Sequence, residues 1–240
     1  MRVNALNYVF YDLETTGRNS AWDQIIQVAA VLTDDKFNII DRFEERCRLK
    51  KGLVPHPEAL IVNKTSVDML NKLNLSHYEL TKKIEKKFKM WSPAIFIGYN
   101  SINFDEEFIR KTFFKNLFEP YLTQFSGNKR ADIINITRTS KFYYPESLKV
   151  GVNEKGNQVF KLDVLTELNN IVHNAHDAMG DVNATIEISK ILQERADKVW
   201  NAGLKNNNKI DVDNFLIQNN IVCIDEYLFG KFNVHAVTYV

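Results

Sequence analysis

The apolar residues of the first fifty positions gather into three strand-like runs: Tyr8 to Leu13, Ile25 to Thr33, and Phe37 to Arg48. The polar turn Asp34-Asp35-Lys36 joins the last two, which predicts a meander. Between Val67 and Lys89, Leu80, Ile84 and Phe88 recur at helical spacing among lysines, and Ala94 to Gly98 then reads as a short buried strand. Further helical patterns cover Asp105 to Phe118, Asp132 to Phe142, Leu162 to Ile171 and Asp181 to Leu192. Strands first, followed by helix, strand and several helices, predict a mixed α/β fold: a sheet flanked by helices rather than a doubly wound parallel sheet. The polar, asparagine-rich segment from Asn201 to Lys209 reads as a boundary, with strand-like runs beyond it at Ile221 to Ile224 and Val234 to Val240. The expected organisation is one domain over residues 1–200, then a linker and the beginning of a truncated second unit over 201–240.

Polar residues on faces that should be apolar carry the chemistry. In a strand, side chains alternate faces, so Tyr8, Phe10, Asp12 and Glu14 share one, and two carboxylates sit beside two aromatics. Like charges held that close and half buried call for a compensating cation. In the helix from Asp105, that aspartate lies with Phe108, Ile109 and Thr112 on the apolar stripe, while Glu106 and Glu107 are expected to point outward toward Arg110 and Lys111. Asp181 shares a face with Ala184, Ile188 and Ile191 by the same arithmetic. Asp105 and Asp181 could each simply cap a helix. Four inward acids on three elements point instead to hard oxygen ligation, and without paired cysteines or an HExxH motif they favour Mg²⁺ or Mn²⁺ over zinc. His176, five residues before Asp181, falls off that helical face unless it precedes the helix on a loop, where we place it. There a neutral imidazole can take a proton from an attacking water. His173, His56, His77 and His235 read as surface or structural.

Composition narrows the partners. Thirty-one Lys+Arg against thirty Asp+Glu leave a net charge of +1, so any polyanion site is local rather than a global basic field. Cys47 and Cys223 form no C-x-x-C pattern, so neither a disulfide framework nor a zinc ribbon is signalled. The start, Met1 to Asn7, lacks a secretory apolar run, and the longest uncharged stretch, Trp91 to Phe104, is too short to span a bilayer. The expectation is a soluble, cytoplasmic chain with no membrane partner. P-loop, dinucleotide-binding and serine-hydrolase signatures are absent.

The segment Asp12-Leu13-Glu14-Thr15-Thr16-Gly17, with Gly98-Tyr99-Asn100, Phe104-Asp105, and Asn174-Ala175-His176-Asp177-Ala178-Met179 before Asp181, resembles the DEDDh 3′→5′ exonucleases, bacterial exonuclease I above all. The likeness covers about Tyr8 to Leu192. It implies a ribonuclease H-like fold with a mixed five-stranded sheet, two Mg²⁺ ions for which Mn²⁺ can substitute, and release of nucleoside monophosphates from the 3′ end of single-stranded DNA. By position it makes Asp12, Glu14, Asp105 and Asp181 the metal carboxylates and His176 the general base. Glu14 and the Thr15-Thr16 turn then approach the terminal sugar. Lys161 stands where the family usually has a substrate-contacting arginine, and Arg138 matches a basic family position beside Lys141, Phe142, Tyr143 and Tyr144. A solvated lysine and core aromatics are the plainer readings of those positions, and a solvated helix face that of the lysine-rich run Lys82 to Lys89. The resemblance further implies an SH3-like second domain beginning near residue 201, a monomer, and single-strand-binding protein as a partner. The same chemistry on short RNA, and a noncatalytic single-strand-binding fragment, are the competing expectations.

Overall fold

The computed structural model describes residues 6–205 and 209–240. Part of the amino-terminal segment read for a signal (1–5) and part of the asparagine-rich boundary (206–208) lie outside the described residues. Along the chain run β1 (Asn7–Thr15), β2 (Ile25–Thr33), β3 (Ile39–Arg46), α1 (Pro57–Val62), α2 (Val67–Asn71), α3 (His77–Trp91), β4 (Ala94–Gly98) and α4 (Asp105–Lys115). Then follow β5 (Lys129–Asp132), α5 (Ile133–Tyr143), β6 (Gly151–Val152), β7 (Gln158–Val159), α6 (Leu162–Leu168) and α7 (Ala178–Arg195). The last elements are α8 (Asp197–Lys205), α9 (Lys209–Gln218), β8 (Val222–Leu228) and β9 (Lys231–Val237).

Five strands make one mixed sheet in the order β3-β2-β1-β4-β5, antiparallel across the meander and parallel from β1 through β4 to β5. Both faces are covered, so β1 is buried along nearly its whole length. Tyr8 and Phe10 pack into the core shared with α5, α6, α7 and α8, whereas Val9, Tyr11 and Leu13 pack into the opposite core under α3 and α4. The strand's period of two therefore assigns Asp12 and Glu14 to the α7 side, at the end where the apolar face runs out.

Several elements depart from the sequence pattern. The lysine-rich helix does not run back to Val67: the chain breaks after α2, and a capping box between Ser76 and Glu79 starts α3 afresh. Two of its lysines face the outer strand, Lys83 reaching Glu45 at 2.5 Å and Lys87 reaching Asp41 at 3.1 Å. Helix α7 begins at Ala178, three residues before the expected start. Helix α8 passes through Asn201 to Lys205, where a linker was expected, because Trp200 and Leu204 at i, i+4 seal it onto the core. Strand β5 carries three charged residues in four and has no strand pattern of its own; parallel pairing with β4 creates it.

The hairpin β8–β9 docks on the domain through aromatic rings. Phe232 lies 4.9 Å from both Phe142 and Tyr227, Tyr227 lies 5.1 Å from Phe160, and Thr139 donates to Asp225 at 2.8 Å. Among the described residues no helix is long and apolar enough to cross a membrane.

Candidate active site

The carboxyl end of β1 meets the beginnings of α4 and α7 at one place. Oxygens of Asp12, Glu14 and Asp181 lie within 4.8 Å of one another, although they come from positions up to 169 residues apart. Asp105 stands beside this trio rather than in it. It is buried, one carboxylate oxygen accepts the Leu13 backbone N–H at 3.1 Å, and its charge is felt at Asp12. Neither Asp105 nor Asp181 is a helix N-cap; those positions belong to Phe104 and Asp177. The turn ahead of α4 is held from below, since Asp132 accepts the backbone N–H groups of Asn100 at 2.7 Å and Ile102 at 3.1 Å. Gly98 is required there, because a Cβ would come within 2.4 Å of the Ser101 side chain.

The electrostatics follow from the crowding. Burial, and after it the charges of Asp105, Asp181 and Glu14, hold the Asp12 carboxyl well above the usual carboxylate range. Burial, and then the charges of Asp181 and Asp177, push Glu14 up to about 7 against the pull of Arg46. Burial also raises Asp105 strongly, and raises Asp181 despite its hydrogen bond from His173. Arg46 bonds Asp177 at 2.9 Å and so supplies positive charge only at the rim. Three hard oxygen donors that close, each raised by burial, fit a divalent cation of the Mg²⁺ or Mn²⁺ kind.

His176 lies on the loop before α7 with its backbone in the left-handed region (φ 63°), its side chain exposed and its N–H bonded to Asp181. The same loop is tied down by Lys64, whose Nζ donates to the Ala175 carbonyl at 3.0 Å. Thr15 is buried; its hydroxyl donates to the Gly17 carbonyl at 2.6 Å, and its own carbonyl accepts from Asn63 at 3.0 Å. An open cleft of about 840 Å³, lined by Glu14, Thr15, Gly17, Arg18, His56 and Asn63 among others, adjoins the acids. Lys161 is exposed at the N-cap of α6. Arg138 lies elsewhere: its guanidinium sits 5.2 Å from the Tyr227 ring and 5.9 Å from Phe160, under the docked hairpin.

Two sequence expectations are corrected here. Glu106 does not point outward with Glu107: it is buried and accepts from Tyr11 Oη, Thr123 Oγ1 and Arg130, whereas Glu107 alone meets Arg110 and Lys111. The reason is long-range, because Tyr11 on β1 and Arg130 on β5 offer it donors that helical periodicity cannot show. His173, read as surface or structural, contacts Asp181 with Nε2 to Oδ1 at 2.5 Å. The pair Arg46–Asp177 and Gln27, which donates to Asp177 at 3.2 Å, also escaped sequence reasoning. Strand register contained a signal for them, since Gln27 stands opposite both Glu14 and Arg46.

The mixed five-stranded sheet flanked by helices is a fold of the ribonuclease H-like exonuclease class. Residues 9–189 match the family model described as Exonuclease (RNase_T), and the chain belongs to that family. It is 34% identical over 226 residues to exodeoxyribonuclease I of Buchnera aphidicola subsp. Schizaphis graminum, covering 90% of this chain and 46% of that protein. It is 31% identical over 205 residues to the Escherichia coli exodeoxyribonuclease I, covering 84% of this chain and 43% of that one. The solved structure of E. coli exonuclease I in complex with a dA16 oligonucleotide superposes with a TM-score of 0.88 at 27% identity, over 96% of this chain and 51% of that one. The chain thus spans about half the length of the relatives it matches.

Proposed function

We propose that this chain is a metal-dependent 3′→5′ exodeoxyribonuclease that shortens single-stranded DNA from its 3′ end and releases nucleoside 5′-monophosphates. The observation that carries the reading is the convergence of Asp12, Glu14 and Asp181 within 4.8 Å beside buried Asp105. Mutual repulsion makes that cluster costly unless cations neutralise it. In this reading Asp12, Glu14, Asp105 and Asp181 would hold two Mg²⁺ ions, which when bound would supply Lewis-acid activation of water and charge neutralisation at the scissile phosphate. His176 accepts the proton of that water, and its place on an exposed loop gives the imidazole access to it. Glu14 and Thr15, at the wall of the adjoining cleft, receive the terminal sugar. Lys161 supplies a phosphate contact without the bidentate geometry of arginine. Arg138 belongs in this account as a basic residue of the strand path, its guanidinium stacked on aromatics.

Single-stranded DNA is the substrate, and E. coli exonuclease I, solved with dA16 and with dT13 oligonucleotides, supports that choice. An exonuclease I solved under the description SSB/Exonuclease I supports single-strand-binding protein as a partner. We further assign the work to a cytoplasmic monomer whose exonuclease unit extends past the expected boundary at residue 200 to include α8, since Trp200 and Leu204 belong to its core, with the SH3-like unit assigned to the residues that follow. The test is digestion of 3′- and 5′-labelled DNA and RNA oligonucleotides with Mg²⁺ or EDTA, for the wild type and Asp12→Ala. Stepwise, Mg²⁺-dependent loss from the DNA 3′ end, abolished in Asp12→Ala with binding retained, is expected. Endonucleolytic ladders or cleavage in EDTA would refute the proposal, and RNA digested in preference to DNA would reassign the substrate.

A further inference from the structure

The imidazole of His173 is clamped between buried Thr166 and half-buried Asp181. Thr166, on α6, is 1% exposed, and its hydroxyl donates to the Asp163 carbonyl at 2.9 Å. The same hydroxyl lies 3.0 Å from His173 Nδ1, within hydrogen-bond reach of the ring. Held at both nitrogens, the ring is fixed in orientation, with Nε2 directed at Asp181 Oδ1, 2.5 Å away. The His173 side chain is 6% exposed and that of Asp181 16%, so water competes poorly for this contact. The backbone supports the arrangement: Ile171 N–H donates to the Thr166 carbonyl at 2.9 Å, turning the chain back over α6. The loop then crosses the first turn of α7 so closely that a Cβ at position 180 would lie 2.2 Å from the Asn174 carbonyl oxygen, room that Gly180 leaves open.

We propose that His173 is a positioning residue for the acidic cluster: anchored by Thr166, it sets the orientation in which Asp181 presents its carboxylate to a divalent cation. The inference rests on the proposed metal-dependent reading of the site. A carboxylate has two oxygens; His173 holds Oδ1, which leaves Oδ2 clear of the ring. The His176 backbone N–H, from the same loop, restrains Asp181 as well. Asp181 reaches the cluster from a helix while Asp12 and Glu14 come from a strand, so its orientation is set apart from theirs, and His173 fixes it. Hydrogen-bond partners of metal-binding side chains typically change metal affinity by about 10- to 100-fold when removed.

The experiment measures Mn²⁺ binding to the full chain by titration calorimetry and by electron paramagnetic resonance, with MnCl₂ as the probe and no DNA present. His173→Leu, which fills the space without a hydrogen bond, should weaken Mn²⁺ binding about 10- to 100-fold. His173→Gln, which restores a polar contact to Asp181, should recover part of the loss, and Thr166→Val, which unfixes the ring, should fall between. On a single-stranded oligonucleotide, kcat should drop in the leucine variant while KM stays near that of the wild type. Wild-type Mn²⁺ affinity in His173→Leu overturns the proposal. If that variant does not fold, wild-type affinity in both His173→Gln and Thr166→Val overturns it equally. Asp181→Asn separates the two levels: if it too binds Mn²⁺ normally, the metal reading of the cluster fails, whereas loss in Asp181→Asn with none in His173→Leu sinks only the positioning role.

Discussion

Removing the charge of Glu14 should make the cation-free protein more stable at neutral and alkaline pH. Glu14 is 8% exposed, and burial, followed by the charges of Asp181 and Asp177, moves its carboxyl from 4.5 to about 7. A group whose folded value is raised binds its proton more tightly in the folded state. Its contribution is therefore fully present below pH 4.5 and is lost as pH rises through about 7. At roughly 1.4 kcal/mol per pH unit the gap corresponds to about 3 kcal/mol. For a chain of this size each kcal/mol moves the melting temperature by about 2–4 °C, so the effect at Glu14 is about 6–12 °C. The assay is thermal unfolding of the wild type and Glu14→Gln in EDTA at intervals from pH 4.5 to 8.5, repeated in saturating Mg²⁺. In EDTA the wild type should lose stability relative to the variant across that window, and Mg²⁺ should restore the wild type selectively. Parallel melting curves in EDTA would show that Glu14 is not in the buried, repulsive setting described, and equal stabilisation of both proteins by Mg²⁺ would show that it holds no cation.

Two further outcomes follow from buried groups outside the cluster. Glu106→Ala strands the Tyr11 hydroxyl and removes the charge partner of Arg130, so urea unfolding should shift by about 3 kcal/mol with little change in slope; a shift within the error of surface substitutions would contradict the buried network. Burial pushes the Cys47 thiol up to about 12, and its Sγ donates to the Ile25 carbonyl at 3.2 Å, whereas Cys223 is exposed. A thiol reagent at pH 8 should therefore modify Cys223 rapidly and reach Cys47 only on denaturation; rapid modification of both would place Cys47 at the surface.

The acids at Asp12, Glu14, Asp105 and Asp181 were legible from the chain because each violates a local rule. A carboxylate on the apolar face of a strand or helix is conspicuous at a period of two or 3.6 residues, and nothing distant is needed to see it. The meander, β4 and the helices flanking the sheet follow from the same periodicities, and their observed bounds differ by a few residues where caps decide the ends.

What the tertiary structure alone decided has one physical cause: partners remote in sequence. Strand β5 exists because β4 pairs with it, not because Lys129-Arg130-Ala131-Asp132 favours an extended chain. Glu106 is buried because Tyr11, Thr123 and Arg130 surround it, although helical spacing assigns it to the same outer face as Glu107. Asp105 lies beside the trio rather than within it, and there one of its oxygens accepts the Leu13 backbone N–H. His173 gained its contact with Asp181 through the turn after α6, which no periodicity encodes. Local patterning thus determined which side chains are chemically unusual, while only long-range packing determined what each one touches.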